Sequence, residues 1–576
     1  MRRTKIVATL GPACDNFDVM TQLLQAGVDV VRVNLSHGEW DLHQKRIRLA
    51  RSAAQQLGKE IGVMLDTQGP EVRLGPLRKP LHLEINDTFY IGREGNESGR
   101  ILTVTWPGLF NMLQTGQTLW IDDGRLVVEV RSVANDLITL AAKNRGNVDS
   151  QKKLSLPGYG WPLDPLTQKD RDAIVRGVTE EGVDFVALSF VRTAEDIFAV
   201  RRFLEEQQIS TFLMAKIENP LGMDHLDEIL QVSDGVMVAR GDLGVELPEE
   251  EVPELQKTII RQANLMGRPV VTATQMLESM IDQERPTRAE ATDVANAIWD
   301  GTDAVMLSGE TAVGKHPVES VAMMAKIAER ADAHPEYAHR VKFTTDRIAD
   351  AVSRASAEIA AELHARAILT VTESGYTARM VSRCKPSVPV VAISPHQTTL
   401  RQLTLFWGVE GLAMNSAIHT TDMVRQAIEV AREAAVVEEG NLVVVTAGVP
   451  HGTPGTTNLV RVEMITDPVL EGQGLGANVG SVTGTVVVVT SQSVVPDSPF
   501  VAVVDGYDQS LLPILDQAAA IVASNAGWTS DIAVYALSRK IPAVVGILDA
   551  TQKLKDGQIV TVDPVRGVIY LGKTQV

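Results

Sequence analysis

Short runs of Val, Ile, Leu and Met recur over the first half of the chain without the apolar/polar alternation of a half-exposed strand: 4–10, 29–35, 61–66, 184–190, 211–217, 235–239, 269–274 and 304–307. Continuous apolar runs of this length suit parallel strands buried on both faces. Helical stretches lie between them, and eight repeats of strand and helix predict an α/β fold closed into a TIM (β/α)8 barrel; a doubly wound open sheet is the alternative. More than 100 residues separate the third run from the fourth, far beyond a βα loop, so a further domain is expected at 70–157. Its segments alternate, as in 118–121 and 126–133, and Asp123-Gly124 between them marks a hairpin, which predicts a small β-barrel lid. After about 335 the pattern restarts with runs at 367–372, 388–393 and 441–446 and a helical stretch at 346–363, a separate α/β domain. A glycine-rich stretch, 472–480, reads as a linker into a last strand set that ends at Gly572. The expected division is 1–69 with 158–335 for the barrel, 70–157 for the lid, 336–470 for the α/β domain and 471–576 for a C-terminal extension.

Composition narrows the function. Apolar residues make up 44% and charged residues 22% of the 576, a globular balance. With 54 Lys and Arg against 72 Asp and Glu, the formal charge of -18 repels polyphosphate backbones and argues against a nucleic-acid partner. Clustered Arg and Lys in such a chain therefore carry information about a small anionic substrate. Cys14 and Cys384 are the only cysteines, which gives neither a disulfide framework nor a thiolate zinc site and suits a reducing cytoplasm. No apolar run approaches 18 residues, so no membrane span is expected.

In a barrel of this kind the strand C-termini face the active site. Here those ends read Arg32, Asn34, Ser36 and His37; Asp66, Thr67 and then Arg73; Ser189; Lys216 and Glu218; Arg240 and Asp242; Thr274; Ser308 and Glu310. Glu218 and Asp242 follow different strands and could share one hard cation, Mg²⁺ or Mn²⁺, that also holds substrate oxygens. Lys216 sits two residues before Glu218 and so points the same way, an ammonium beside a metal, as phosphoryl transfer requires. Arg32 and Arg73 adjoin strand ends and suit a phosphate clamp, and His37 could join a phosphate site. Gly241 and Gly244 would let backbone N–H groups approach an anion. Two motifs mislead. Gly309, Gly314 and Lys315 have P-loop spacing, but His316 replaces the hydroxyl residue that Mg²⁺ needs; Gly472, Gly474 and Gly476 lack the full dinucleotide spacing.

Over about 1–470 the chain resembles the pyruvate kinase family, on TKIVATLGPA (4–13), RVNLSHG (32–38), LDTQGPEVR (65–73), AKIENPLG (215–222), ARGDLGVE (239–246), TATQMLESM (272–280) and MLSGETAVGKHPVE (306–319). The resemblance implies transfer of phosphate from phosphoenolpyruvate to ADP, giving pyruvate and ATP, in a barrel with a mobile lid and a regulatory α/β C-domain. It implies that Lys216 stabilises the phosphoryl group in flight, that Glu218 and Asp242 hold Mg²⁺ or Mn²⁺, and that Thr274 helps protonate the enolate. Arg32 and Arg73 would grip the phosphate; Ser189, Gly241, Asp242 and Thr274 would bind substrate; Asn34, His37, Arg73 and Lys153 would contact the nucleotide. Asn34, Ser36, Asp66 and Thr67 resemble the family's K⁺ ligands, with Glu71 where an acid accompanies K⁺ dependence. TESGYTARMVSR (372–383) and GVPHGTPGTTNLVRV (448–462) resemble its effector site, which implies a phosphorylated activator held by Thr372, Ser374, Gly375, Thr377, Gly452 and Gly455. A homotetramer is the family expectation. The lid-to-barrel return, KKLSLPGYGWPL (152–163), departs from the family pattern at Lys153. The tail resembles the swivelling phosphohistidine domain of phosphoenolpyruvate-utilising enzymes across 529–546 and 554–563, but Asp531 stands in place of the histidine, so a structural or regulatory appendage is expected. Two other functions compete: a metal-dependent enolate lyase or aldolase, which needs neither arginine nor lid, and a phosphometabolite sensor without activity.

Overall fold

The apolar runs become eight parallel strands of one closed barrel: β1 Lys5–Thr9, β2 Val30–Asn34, β3 Gly62–Asp66, β4 Phe185–Leu188, β5 Phe212–Ile217, β6 Gly235–Ala239, β7 Val270–Ala273 and β8 Ala304–Leu307. They hydrogen-bond in the order β1-β8-β7-β6-β5-β4-β3-β2, so the last strand meets the first. The computed structural model describes all residues except 1, 95–99, 135, 159, 339–346, 416–419, 450–455, 466–469, 477–479, 491, 497 and 574–576. Every residue of β3 to β8 is buried, because side chains on one face fill the barrel and those on the other meet the surrounding helices. Those helices start where the sequence supplies caps. Thr167, Thr193 and Thr287 each form a reciprocal capping box with the acid three residues on, Asp170, Asp196 and Glu290. Gly182 and Gly301 end two of them in the left-handed region.

The insertion between β3 and β4 is β-structure around its own apolar core, which includes Phe89, Ile91, Leu119, Val128 and Leu140. A six-stranded sheet holds Leu154–Ser155, Thr118–Ile121, Leu126–Ala134, Leu137–Ala142, Thr88–Gly92 and Ile101–Leu102 in that order, and Gly146–Val148 pairs with Leu81–Leu83. The Asp123-Gly124 hairpin forms: Ile121 pairs with Leu126 across a turn in which Asp122, Asp123 and Gly124 all have positive φ.

The exit from β3 into the insertion is tied to the barrel by one buried carboxylate. Asp170, in the first turn of the helix Gln168–Glu181, accepts from the backbone N–H groups of Gln68 at 2.8 Å, Gly69 at 3.2 Å and Thr167 at 3.0 Å, and from the Thr167 hydroxyl at 2.7 Å. The two ends of the insertion are thereby held at one point.

Compactness divides the described chain into two units. The first comprises Met1–Ala361, Ile368–Val430 and Thr446–Val460. Beyond the barrel it carries parallel strands at Val390–Ser394 and Val409–Ala413 and all but the first residue of Ala367–Val371, with the helix Tyr376–Arg383 after the last of these. The second comprises Glu362–Ala367, Ala431–Val445 and Arg461–Val576. Its eight-stranded sheet contains Phe500–Val504, Ala520–Ala523 and Ala543–Val545 as parallel neighbours over an apolar core. Here the linker expectation for 472–476 is corrected: Gln473–Leu475 is an edge strand paired antiparallel with Ala543–Val545, and Leu470–Glu471 pairs with Val568–Leu571. A Cβ on Gly474 would collide with the Pro564 carbonyl and one on Gly472 with the Val545 carbonyl. These glycines serve close backbone approach, not looseness. Among the described residues no helix is long and apolar enough to cross a membrane.

Removing the Asp170 carboxylate strands donors in a fully buried place. Asp170→Ala is expected to lower stability by about 2–3 kcal/mol, read as a lower urea midpoint, and to open the 68–70 segment to limited proteolysis.

Candidate active site

Five of the side chains named from the sequence converge at the barrel mouth in one bonded network. Asp66, the last residue of β3, is 1% exposed. Its Oδ2 accepts from Arg32 Nε at 2.7 Å, and its Oδ1 from Lys216 Nζ at 2.9 Å and Ser189 Oγ at 3.3 Å. Arg32 also donates to the Thr9 hydroxyl at 2.9 Å, and Lys216 to Ser189 Oγ at 2.7 Å. Strand register explains the meeting, since Arg32 is two residues before the end of β2 and Asn34 lies opposite Asp66. Burial alone would push the Asp66 carboxyl up, but Arg32 and Lys216 outweigh it and hold the group below its ordinary value.

Lys216 Nζ also lies 2.8 Å from Glu218 Oε1. Burial disfavours its ammonium, yet the carboxylates of Asp66 and Glu218 overcome that and hold its pKa above the usual lysine value. The lysine is a fixed positive charge. Glu218 is in the opposite state: burial first, and then Asp242, push its carboxyl up to about 7 against the pull of Lys216. Its Oε2 accepts from the Phe190 N–H at 2.6 Å, whereas the buried Oε1 is held by the Lys216 ammonium.

A buried carboxylate, with a second carboxylate close enough to disturb it, fits a hard divalent cation bound by oxygen. Among the described residues no group of three or more His, Cys, Asp and Glu could hold a metal. Glu218 and Asp242 would thus supply only part of a coordination shell and leave positions for substrate or water.

Asp242 sits in the first turn of the helix Arg240–Glu246, directly after β6. Beside it the Gly241 N–H donates to Thr274 Oγ1 at 2.8 Å, and that hydroxyl donates to the Ala273 carbonyl at 2.8 Å. Thr274 has φ of +61° and Gln275 of +53°, a left-handed conformation that a β-branched residue avoids. Backbone strain of this kind gathers at functional sites.

Other candidates, Thr67 excepted, stand apart from the network. The Arg73 guanidinium is engaged by Glu71 at 2.6 Å and the Gln151 carbonyl at 3.0 Å, and its side chain is 43% exposed. Lys153 pairs with Arg73 through an isolated β-bridge, lies over the Phe190 ring at 4.5 Å and lines a pocket of about 570 Å³ with Glu71, Arg192, Asn219 and Glu246. His37 and Ser36 are exposed, and Asn34 Oδ1 accepts from the Ser36 N–H at 3.0 Å. Thr67 is buried and its hydroxyl accepts from the Ser189 N–H at 3.0 Å. In the α/β region Thr372 is buried, Ser374 exposed, Gly375 precedes the helix Tyr376–Arg383 with φ of +77°, and the Thr377 and Thr457 hydroxyls are 2.8 Å apart. Gly452 and Gly455 lie outside the described residues. Sequence reasoning missed the Phe190 N–H as a partner of Glu218, because a backbone donor leaves no mark in residue type.

Comparison with known proteins follows this geometry. The pyruvate kinase barrel domain matches residues 1–321, the pyruvate kinase alpha/beta domain 350–463 and the mobile domain of PEP-utilising enzymes 496–567. The pyruvate kinases of Bacillus licheniformis and Geobacillus stearothermophilus are 42% and 41% identical, each aligned over 100% of both chains. The crystal structure of a pyruvate kinase from Cryptosporidium parvum is 35% identical with a TM-score of 0.73, covering 80% of this chain and 96% of that one.

The raised Glu218 carboxyl makes a stability prediction. The folded state binds this proton more tightly than the unfolded chain, so the group's contribution falls as pH rises from about 4.5 to about 7. In chelator, the urea midpoint of the wild type should drop across that window relative to that of Glu218→Gln. Parallel slopes for the two proteins would rule it out.

Proposed function

The chain belongs to the pyruvate kinase family and is a phosphotransferase of that activity, taking the phosphoryl group of phosphoenolpyruvate to ADP in glycolysis; from this we propose which of its residues carry each part of the reaction. The observation that bears the proposal is the Lys216 ammonium, buried and kept charged between Asp66 and Glu218 at the barrel mouth. A preorganised cation in a low-dielectric pocket stabilises the charge that develops on a transferring phosphoryl group. Arg32, immobilised by Asp66 and Thr9, presents a second cation to the same anion. Arg73 joins it from the lid once its pairing with Glu71 is exchanged for phosphate.

Glu218 and Asp242 hold Mg²⁺ or Mn²⁺, which when bound supplies positive charge to the substrate's carboxylate and phosphate oxygens. Ser189 and Gly241 bind substrate, and the Thr274 hydroxyl passes a proton toward the enolate carbon, through water. Asn34, Ser36, Asp66 and Thr67 offer oxygen donors alone, a set that suits K⁺, and Glu71 accompanies it. Asn34, His37, Arg73 and Lys153 face the nucleotide, the last from the pocket it shares with Glu246.

The effector reading rests on Thr372, Ser374, Gly375 and Thr377, with Gly452 and Gly455, as a cradle for the phosphate of an activating metabolite. Gly375 opens its helix from a left-handed conformation with no side-chain cap on the first backbone N–H groups. The domain division 1–69 with 158–335, 70–157, 336–470 and 471–576, a homotetramer and a cytoplasmic location complete the proposal. The tail acts as an appendage: Asp531, exposed in the first turn of the helix Asp531–Arg539, lacks the imidazole of a stable phosphocarrier.

A lactate-dehydrogenase-coupled assay with phosphoenolpyruvate, ADP, Mg²⁺ and K⁺ tests this reading. Lys216→Met should lower kcat by about 10³-fold while enolpyruvate protonation survives; normal turnover would remove the lysine from its role. Replacing K⁺ by Na⁺ should cost most of the activity, and equal rates would remove the K⁺ site. Phosphate found on 471–576 during turnover would overturn the appendage.

A further inference from the structure

Arg240 directly follows β6 and is buried, yet the reaction as assigned above gives it no task. Its guanidinium turns toward the neighbouring strand end. Nε lies 3.3 Å from the Ala273 carbonyl, and Nη2 donates to the Thr274 carbonyl at 2.7 Å and the Gln275 carbonyl at 3.1 Å. Nη1 reaches outward to Asp293 Oδ2 at 2.6 Å and Gln256 Oε1 at 3.3 Å.

The three carbonyls belong to the turn where Thr274 and Gln275 both have positive φ. Such a turn costs backbone energy and aims successive carbonyls away from any regular ladder, so it persists only where the surroundings over-determine it. A planar fork with five N–H donors can satisfy that array and still hold an outer carboxylate; a lysine ammonium cannot. The same turn seats Thr274 Oγ1 at 2.8 Å from the Gly241 N–H, one residue from Asp242.

We propose that Arg240 is a positioning residue for the proton-transfer half of the reaction: it holds the Thr274 turn in its left-handed conformation, with Asp293 anchoring the guanidinium from outside. This rests on the assignment of enolate protonation to Thr274. Phosphoryl transfer depends on the network around Asp66, none of whose bonds includes Arg240.

The test separates the two half-reactions in the full chain. Protonation is read as wash-in of solvent deuterium into the pyruvate methyl group with Mg²⁺, K⁺ and a non-transferable ATP analogue. Phosphoryl transfer is read as ATP formed in a rapid-quench first turnover. Arg240→Lys should lower wash-in by about tenfold or more while first-turnover ATP and Mn²⁺ affinity stay within about threefold of the wild type. Guanidinium ion should restore wash-in in Arg240→Ala. Asp293→Asn, which removes only the outer anchor, should shift wash-in in the same direction by about threefold, and it decides the matter if the Arg240 variants do not fold. A parallel fall of both half-reactions, or unchanged wash-in, overturns the proposal. Unimpaired wash-in in Thr274→Ala instead overturns the assignment beneath it, an outcome distinct from any Arg240 result.

Discussion

One carboxylate placed between two cations organises this molecule. Asp66 ends β3 almost wholly out of water, and charge buried so deeply is tolerable only when it is paired and hydrogen-bonded. Its partners come from elsewhere on the barrel: Arg32 from β2, Lys216 from β5 and Ser189 from just beyond β4. Closing the barrel and assembling the charged mouth are thus a single event. The arrangement leaves Lys216 cationic and places Glu218 and Asp242 around it with one acidic charge more than the lysine balances. Burial first, and then Asp242, raise the Glu218 carboxyl against the pull of Lys216.

The barrel was legible in the sequence because burial on both faces forces unbroken apolar runs, and all eight of them are strands. The lid hairpin was legible because Asp123-Gly124 has the residues that a turn with positive φ demands. Arg32, Asp66, Ser189, Lys216 and Glu218 could be assembled on paper, since strand ends in a parallel barrel share one rim. What could not be read depends on backbone geometry. The Phe190 N–H that orients Glu218 and the carbonyls that Arg240 holds are atoms every residue has. The glycines at 472 and 474 looked like linker because the carbonyls they accommodate, at Val545 and Pro564, are distant in sequence. Arg73 reads as a phosphate clamp from its motif, whereas in the structure its guanidinium pairs with Glu71, the acid two residues away.

Two kinds of rigidity meet at the mouth. Around Asp66 it is electrostatic, a set of charges each fixed by another. At Thr274 it is conformational, a turn kept in an unfavourable region by donors aimed at its carbonyls. The helix Arg240–Glu246 bears on both, through the charge of Asp242 on Glu218 and the Gly241 N–H on the Thr274 hydroxyl.

Asp170 gives the architecture a further property. Because it ties Gln68 and Gly69 to the cap of the next barrel helix, the segment that leaves β3 and the segment that returns after the inserted sheet meet at one buried group. The entropy of closing so long a loop is then nearly independent of what the loop contains. In polymer terms the insertion is a long loop with a fixed stem, and doubling its length would add only about 0.6 kcal/mol to the cost of closing it.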